Sequence, residues 1–144
     1  MKKILLIIIF CVVAITGCNF KEENKNIDNR KKAENSVKII IDNKEYTITL
    51  QDNKTVNEFI NMLPLELEMT DLNDNEKYAY LNKELSTNSI NPKHINKGDV
   101  MLFGNNCLVI FYESFDTSYS YTKIGHIDNL PDLGKDKVII RIEK

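Results

Sequence analysis

The chain has 144 residues, of which 28% are charged, and its formal net charge is −2 at pH 7. This length suits one domain with a single hydrophobic core. Nucleic-acid-binding proteins carry a basic patch or stripe, and a chain with an acidic balance does not favour one, so we expect no nucleic-acid partner.

The first 17 residues have the layout of a secretory signal peptide. Lys2 and Lys3 precede an uncharged apolar run from Ile4 to Ile15, and small residues then lead into Cys18. A basic start, a short apolar region and a small-residue cleavage site are typical of secretory signals. A membrane-spanning helix needs about 20 apolar residues, so this run is short for a permanent anchor.

The sequence "ITGC" at the end of this region is similar to the bacterial lipobox, in which an aliphatic and two small residues precede an acylated cysteine. The resemblance implies cleavage after Gly17 and lipidation of Cys18, with acyl chains such as palmitate. Each buried methylene of such a chain contributes about 0.8 kcal/mol to membrane binding. We therefore expect the protein outside the cytoplasm, lipid-anchored to the cell membrane. An ordinary secreted protein that is cut nearby is the alternative.

Residues 18–36 are predicted to form the lipidated cysteine and a flexible tether. The segment after Cys18 is polar, charged and nearly free of apolar residues, so it cannot offset the entropy of ordering by burial. Its 18 residues would span roughly 25 Å as a flexible chain. Loss of Lys2 and Lys3 from the 19 basic residues leaves 17 against 21 acidic ones, so the mature chain has a net charge of about −4.

Residues 37–144 are predicted to form one folded domain that is mainly β. Apolar residues alternate on both sides of Asp42-Asn43-Lys44, which predicts a β-hairpin. Glycine and asparagine at 104–106 predict a second hairpin, and Gly125 predicts a bend or a close approach within a strand. Further strands are predicted at Leu65–Met69, Lys77–Leu81, Val100–Phe103, Cys107–Tyr112, Tyr119–Ile127 and Val138–Glu143. Seven or eight short strands favour a barrel or a sandwich.

One helix is predicted after the first hairpin. Thr55 and Glu58 have the spacing of a capping box. An apolar stripe accompanies them, and Pro64 should end the helix because the residue before a proline resists the helical conformation. The stripe consists of Val56, Phe59, Ile60 and Leu63.

Few residues have the pattern of a catalytic or metal site. His94 and His126 have no second histidine, cysteine or carboxylate at a ligand-like spacing, so we predict no metal site. Cys107 lies in the apolar run "CLVIFY" and is predicted to be a small buried hydrophobe, not a nucleophile. We also predict no cofactor, and we assign no catalytic residue.

Aromatic residues supply the candidate binding site. Tyrosine combines an apolar ring with a polar tip, which suits contact surfaces. Tyr119 and Tyr121 are expected on one face of a strand, and core packing and ligand contact both remain open for this group. The candidate groove consists of Tyr78, Tyr80, Phe115, Tyr119 and Tyr121.

The segments "MLPLELEMTDLNDNEKYAYL" and "INKGDVMLFGNNCLVIFYESFDTSYSYTKIGHID" resemble the small bacterial cyclophilin-like domain family. The resemblance covers residues 37–144 and implies a closed, mainly antiparallel β-barrel with one or two short helices. Members of this family often look like lipoproteins. They also occur with, or fused to, flavodoxin-like domains, which implies a functional link to a flavodoxin-like protein.

The family name does not by itself imply prolyl isomerase activity. In true cyclophilins an arginine contacts the prolyl carbonyl beside an aromatic-lined pocket. In this chain Arg30 lies in the predicted tether, and Arg141 is expected to point outward from the last strand. We therefore expect a membrane-tethered module that binds a peptide or a small ligand. A peptidyl-prolyl cis-trans isomerase with a non-standard site is the alternative.

Overall fold

The computed structural model describes residues 35–144. The predicted signal peptide, the predicted lipidation site at Cys18 and nearly all of the predicted tether lie outside the described residues. Between residues 35 and 144, none of the helical structure is long and apolar enough to cross a lipid bilayer.

Ten strands and one helix make up the described domain. In chain order they are β1 (Ser36–Ile41), β2 (Lys44–Leu50), α1 (Lys54–Ile60), β3 (Leu65–Leu72), β4 (Glu76–Tyr80), β5 (His94–Ile95), β6 (Asp99–Phe103), β7 (Cys107–Phe111), β8 (Phe115–Asp116), β9 (Thr122–Ile127) and β10 (Val138–Glu143). Eight strands close into a barrel in the order β1-β10-β3-β4-β7-β6-β9-β2, and β5 pairs with β8 in a separate sheet. Every ladder is antiparallel, which confirms the predicted closed barrel.

The first hairpin is confirmed, but its turn is one residue shorter than predicted, because Lys44 is the first residue of β2. Asp42 and Asn43 have φ angles of 49° and 63°, and they join Ile41 to its partner Lys44. A two-residue turn with both central residues at positive φ has the twist that two antiparallel strands require. Aspartate and asparagine tolerate this conformation better than most residues.

The helix is present, but its predicted capping box is wrong. Asn53 is the N-cap, and its side-chain oxygen accepts a hydrogen bond from Val56 N at 2.9 Å. The hydroxyl of Thr55 instead donates to Ser86 O, and Glu58 accepts from the backbone and hydroxyl of Ser86. These two side chains therefore bind the loop after β4, which contains Ser86, and do not cap the start of the helix. The helix ends at Ile60, before the predicted end at Pro64.

The strand β7 is buried on both of its faces. Leu108 and Ile110 point into the main core inside the barrel, together with alternate residues from the other barrel strands. Cys107, Val109 and Phe111 point outward and join a second apolar cluster that also contains Ile95, Met101 and Tyr121. A strand buried on both faces reads as a continuous apolar run, and "CLVIF" has that pattern.

Two loop segments, 82–97 and 112–121, cover the outer face of β7. They pair through β5 and β8, and Ile90 and Tyr121 form an isolated bridge. The predicted strand Tyr119–Ile127 is therefore wrong over its first residues, because β9 begins at Thr122. The backbone of Tyr121 bonds to Ile90 and not to a barrel strand, so the chain leaves the barrel to cover it.

Gly125 lies where β9 meets its two neighbours, opposite Leu50 of β2 and Val100 of β6. A Cβ atom at this position would lie 2.5 Å from Thr49 O and 2.9 Å from Ile48 Cγ2. Backbone atoms of a closed barrel cannot move aside at low cost. The predicted close approach at Gly125 is thus confirmed.

We expect the substitution Gly125→Ala to lower the free energy of unfolding by about 2 kcal/mol or more, because the methyl group forces β2 away from β9. Urea unfolding measures this loss. Gly104→Ala is the matched control: nothing lies within 4 Å of its Cβ position, and only its φ of 61° opposes alanine, at a cost of about 1 kcal/mol. Equal losses in the two variants would contradict the close approach as the cause.

Candidate functional site

A cavity of about 480 Å³ lies on the outer face of the barrel, between β4, β7 and the segment 115–121 that covers them. Its walls contain all of the candidate groove residues that the sequence analysis names. These are Tyr78, Tyr80, Phe115, Tyr119 and Tyr121. The structure therefore brings the candidates together at one place, and ligand binding by them stays a prediction.

The register of β4 and β7 forms the floor of the cavity. Glu76, Tyr78 and Tyr80 alternate along β4, so their side chains share one face. They lie opposite Phe111, Val109 and Cys107 of β7, respectively, and residues directly opposite in an antiparallel pair point the same way. The floor is thus a grid of side chains fixed by backbone hydrogen bonds, and Phe103 of β6 extends it beside Cys107.

A chain of ring contacts joins this floor to the covering segment. Phe111 contacts Phe115 at 5.7 Å and Tyr121 at 5.4 Å between ring centroids. Phe103 contacts Tyr121 at 5.6 Å and Tyr119 at 6.1 Å. Edge-to-face contacts of this kind add about 0.5–1.5 kcal/mol each beyond the area that they bury. The aromatic residues therefore hold the cover in place and line the cavity at the same time.

Several rings remain in contact with solvent at the mouth of the cavity. The exposed fraction is 67% for Tyr80, 63% for Tyr119 and 45% for Phe103, whereas Tyr121 is buried. The candidate residues therefore differ in their environment. Tyr121 belongs to the second apolar cluster, whereas Tyr80 and Tyr119 lie at the mouth of the cavity. Contiguous exposed apolar surface beside a cavity is typical of a binding site.

The carboxyl group of Glu76 is the main polar feature that the sequence analysis missed. Its side chain lines the cavity with only 9% of the residue exposed. Among residues 35–144, no group forms an ion pair or a hydrogen bond with this carboxyl. Burial, with a smaller contribution from the nearby charge of Asp71, raises the pKa of Glu76 from 4.5 to about 7. Near neutral pH the carboxyl is thus divided between its acid and its ionised form.

Asn75 stands next to Glu76 and also lines the cavity. Its backbone carbonyl accepts hydrogen bonds from Tyr112 N and Glu113 N. Its side-chain oxygen is buried and has no hydrogen-bond partner within the described part of the chain. Buried polar atoms normally have a partner. This wall of the cavity therefore contains two acceptors whose hydrogen-bonding capacity the described residues do not use.

Lys77 fixes the end of the β3–β4 hairpin that carries this wall. It is fully buried, and its Nζ lies 2.8 Å from Asp71 Oδ1 and 2.7 Å from Asp136 O. Tyr112 donates a hydrogen bond to the same Asp71 oxygen. Burial opposes ionisation of Asp71, but the bonds from Lys77 and Tyr112 outweigh it, so its pKa is lowered. A buried ammonium group without a partner costs several kcal/mol of stability. The Lys77 ammonium is paired with Asp71.

The remaining titratable candidates form structural pairs. His94 Nδ1 lies 2.6 Å from Asp116 Oδ1 at the surface, and His126 Nδ1 lies 3.1 Å from the buried Asp99 Oδ1. No group of three or more potential metal ligands occurs in the described range 35–144. Cys107 is buried as predicted, and burial, with a smaller effect of the Glu76 charge, raises the pKa of its thiol. A raised pKa keeps the thiol protonated, which makes it a poor nucleophile.

The family model described as the cyclophilin-like family matches residues 39–143. The chain belongs to this family. A comparison with curated proteins finds no match. Among solved structures, a hypothetical protein from Archaeoglobus fulgidus, known from its solution structure, is similar to this cyclophilin-like chain with a TM-score of 0.52 and 18% identity. That likeness covers 75% of this chain and 92% of the archaeal one, and it supports the fold alone.

Arg141, the arginine within residues 35–144, lies away from the cavity of this cyclophilin-like domain. Arg30 lies outside the described residues. Arg141 points outward from β10, as predicted, where it pairs with Glu143 at 3.0 Å. It is not among the residues that line the cavity.

Glu76 and Phe103 were missed for different reasons. The period-two pattern Glu76, Tyr78, Tyr80 is present in the sequence and could have placed Glu76 on the same face as the two tyrosines. The predicted strand started one residue later, so Glu76 was assigned to a loop. Phe103 ends a predicted strand, but its place beside the cavity depends on pairing with Cys107 across the hairpin.

The raised pKa of Glu76 makes a testable contribution to stability. The Glu76 carboxyl has a pKa of about 7 in the folded state, which is higher than its pKa in the unfolded state. It therefore stabilises the fold when the pH is below the unfolded pKa, and this stabilisation is lost as the pH rises through 7. Glutamine does not titrate, so Glu76→Gln should not lose stability in this way. We expect the free energy of unfolding of the variant, minus that of the native protein, to rise by up to about 3 kcal/mol between pH 4.5 and 7. Urea unfolding at several pH values measures the difference.

The matched control for this prediction is Glu84→Gln, because Glu84 is exposed and does not line the cavity. Its stability difference from the native protein should stay constant over the same pH range. A constant difference for Glu76→Gln as well would show that burial does not perturb the Glu76 carboxyl.

Proposed function

We propose that this protein is a ligand-binding module that a lipid on Cys18 tethers to the outer face of the cell membrane. In this proposal a small molecule or a peptide side chain enters the cavity on the outer face of the barrel. The observation that carries the proposal is the cavity itself, with aromatic walls, exposed rings at its mouth and a buried carboxyl that has no partner in the described part of the chain.

The size and lining of the cavity support binding of a small organic group. Ligand sites commonly have volumes of about 300–1,000 Å³ and mostly apolar walls with a few polar groups, and this cavity measures about 480 Å³. The floor is built on paired strands, so it needs little rearrangement to accept a ligand. Preformed sites bind better because less conformational freedom is lost.

We favour binding over the isomerase alternative. The described residues that line the cavity include no lysine, arginine or histidine that could polarise a prolyl carbonyl. The single thiol at the floor, Cys107, is protonated.

The functional link to a flavodoxin-like protein, which the family resemblance implies, stays a prediction.

We expect small aromatic compounds to bind the domain from Asn35 to Lys144, which contains the whole barrel and its core. Backbone amide chemical shifts in NMR spectra should move along β4, β7 and residues 115–121. Tyr80→Ala should weaken binding about fivefold to tenfold, since an aromatic contact contributes about 1 kcal/mol. Ile139→Ala removes an equally exposed apolar side chain from β10 and is the control. Shifts that avoid the cavity would contradict the proposal.

The tether has a separate test in the full chain. We expect Cys18→Ser to release the protein from the membrane fraction or to leave it unprocessed, because the residue that carries the acyl chains is lost. Cell fractionation and the electrophoretic mobility of the protein measure both effects. Cys107→Ser is the matched control, since Cys107 is a buried cysteine of the folded domain. Normal processing and unchanged membrane retention in Cys18→Ser would contradict lipid anchoring.

A further inference from the structure

We infer that the cavity selects organic cations in which an ammonium group is attached to an apolar carbon skeleton. In this inference the Glu76 carboxylate binds the ammonium group. This inference rests on the proposed binding function and adds the chemical class of the ligand. Nothing in the family description specifies a ligand.

The charges around the cavity favour a cation. Glu76 and Asp116 are the ionisable acids among the lining residues, and the described lining contains no basic side chain. The Asp116 carboxylate already pairs with His94 at the surface, whereas the Glu76 carboxyl is more buried and has no partner among residues 35–144. An anionic ligand would meet Glu76 with no countercharge beside it. A cation would supply the partner that this carboxyl lacks.

The burial of Glu76 increases the effect of such a pair. A charge-assisted hydrogen bond is about twice as strong as one between neutral groups. Removal of water from the site strengthens the attraction further, because the effective dielectric constant falls. Asn75 lines the same cavity, and its buried side-chain oxygen has no hydrogen-bond partner among residues 35–144.

The aromatic walls complement the same ligand. A cation within about 6 Å of a ring centroid is attracted to the negative face of the ring, by about 0.5–2 kcal/mol. The ring planes of Tyr78 and Tyr80 are 81° apart, and those of Phe103 and Tyr119 are 88° apart. All four residues line the cavity, so a ligand inside it lies beside several rings. Their apolar surface also suits the carbon body of the ligand.

Binding of a cation should be coupled to release of a proton from Glu76. The carboxyl is partly protonated near pH 7, and an adjacent cation favours its ionised form. Asp71 does not take over this role, because Lys77 and Tyr112 already bind it. The titratable groups that interact electrostatically with Glu76 are Asp71 on β3, Cys107 on β7 and Tyr121 on the cover, and Tyr78 and Asp116 line the same cavity.

The test compares two probes of the same shape by isothermal titration calorimetry, 2-phenylethylamine, which is protonated at pH 7.5, and neutral 2-phenylethanol. We expect the amine to bind the domain from Asn35 to Lys144 at least about tenfold more tightly. Glu76→Gln should remove this preference, so that the amine and the alcohol then bind with affinities within about twofold of each other. Titrations in buffers of different ionisation enthalpy should show proton release for the amine with the native protein only. Glu84→Gln, which removes a charge away from the cavity, should keep the preference.

The possible results are distinct. Equal affinity for the two probes, unchanged by Glu76→Gln, would keep the binding function and overturn the selection of cations. Failure of both probes to bind the native protein would overturn both. Preference for the amine that persists in Glu76→Gln would overturn the role of Glu76. NMR spectra of Glu76→Gln confirm that the cavity is intact before the affinities are compared.

A second pair of probes identifies the source of the ammonium group. The peptide acetyl-Ala-Ala-Lys-Ala-Ala-amide presents the group on a polypeptide, and its norleucine counterpart lacks the charge. Selective binding of the lysine peptide, abolished by Glu76→Gln, would assign the cavity to a protein partner. Binding of 2-phenylethylamine without binding of the peptide would assign it to a free amine. Either result supports a cation site.

Discussion

The burial of β7 on both faces is the constraint from which the rest of the structure follows. Its inward residues complete the barrel core, so β7 cannot leave the barrel without exposing that core. Its outward residues are also apolar and must be covered. The loops 82–97 and 112–121 supply this cover, but they are too irregular to fill the space above a flat grid of side chains. The cavity is the volume left between a regular sheet and an irregular cover.

Two neighbours on β4 show how the barrel separates its charges. Lys77 and Glu76 point to opposite faces because side chains alternate along a strand. The Lys77 ammonium is fully buried and has an aspartate, a carbonyl and the ring of Tyr112 around it, the ring centroid at 5.3 Å. The Glu76 carboxyl is almost as buried, yet the described residues provide it with no hydrogen bond and no ion pair. The first arrangement fixes the hairpin, and the second leaves a group whose charge can respond to what enters the cavity.

Local pattern in the sequence predicted most of the barrel but less of the site. Alternation and turn residues placed the hairpins, and the apolar run at 107–111 indicated a strand, but its burial on both faces appears only in the structure. The capping box failed because Thr55 and Glu58 bond to Ser86, a partner 28 or more residues away. The strand assigned to Tyr119 and Tyr121 failed because Tyr121 pairs with Ile90. Such choices depend on which distant segment a residue meets, and a short window of sequence does not contain that information.

The cover over the cavity is attached more weakly than the strands beneath it. β5 and β8 share two residue pairs, and the Ile90–Tyr121 bridge adds one more, whereas neighbouring barrel strands share between three and six pairs. Segments with few backbone hydrogen bonds open at a lower free energy than the whole fold. Opening of the cover is therefore expected to cost less free energy than unfolding of the barrel. An occupant that contacts both the floor and the cover adds its own binding energy to the closed form, so its residence time and the lifetime of the closed cover are coupled.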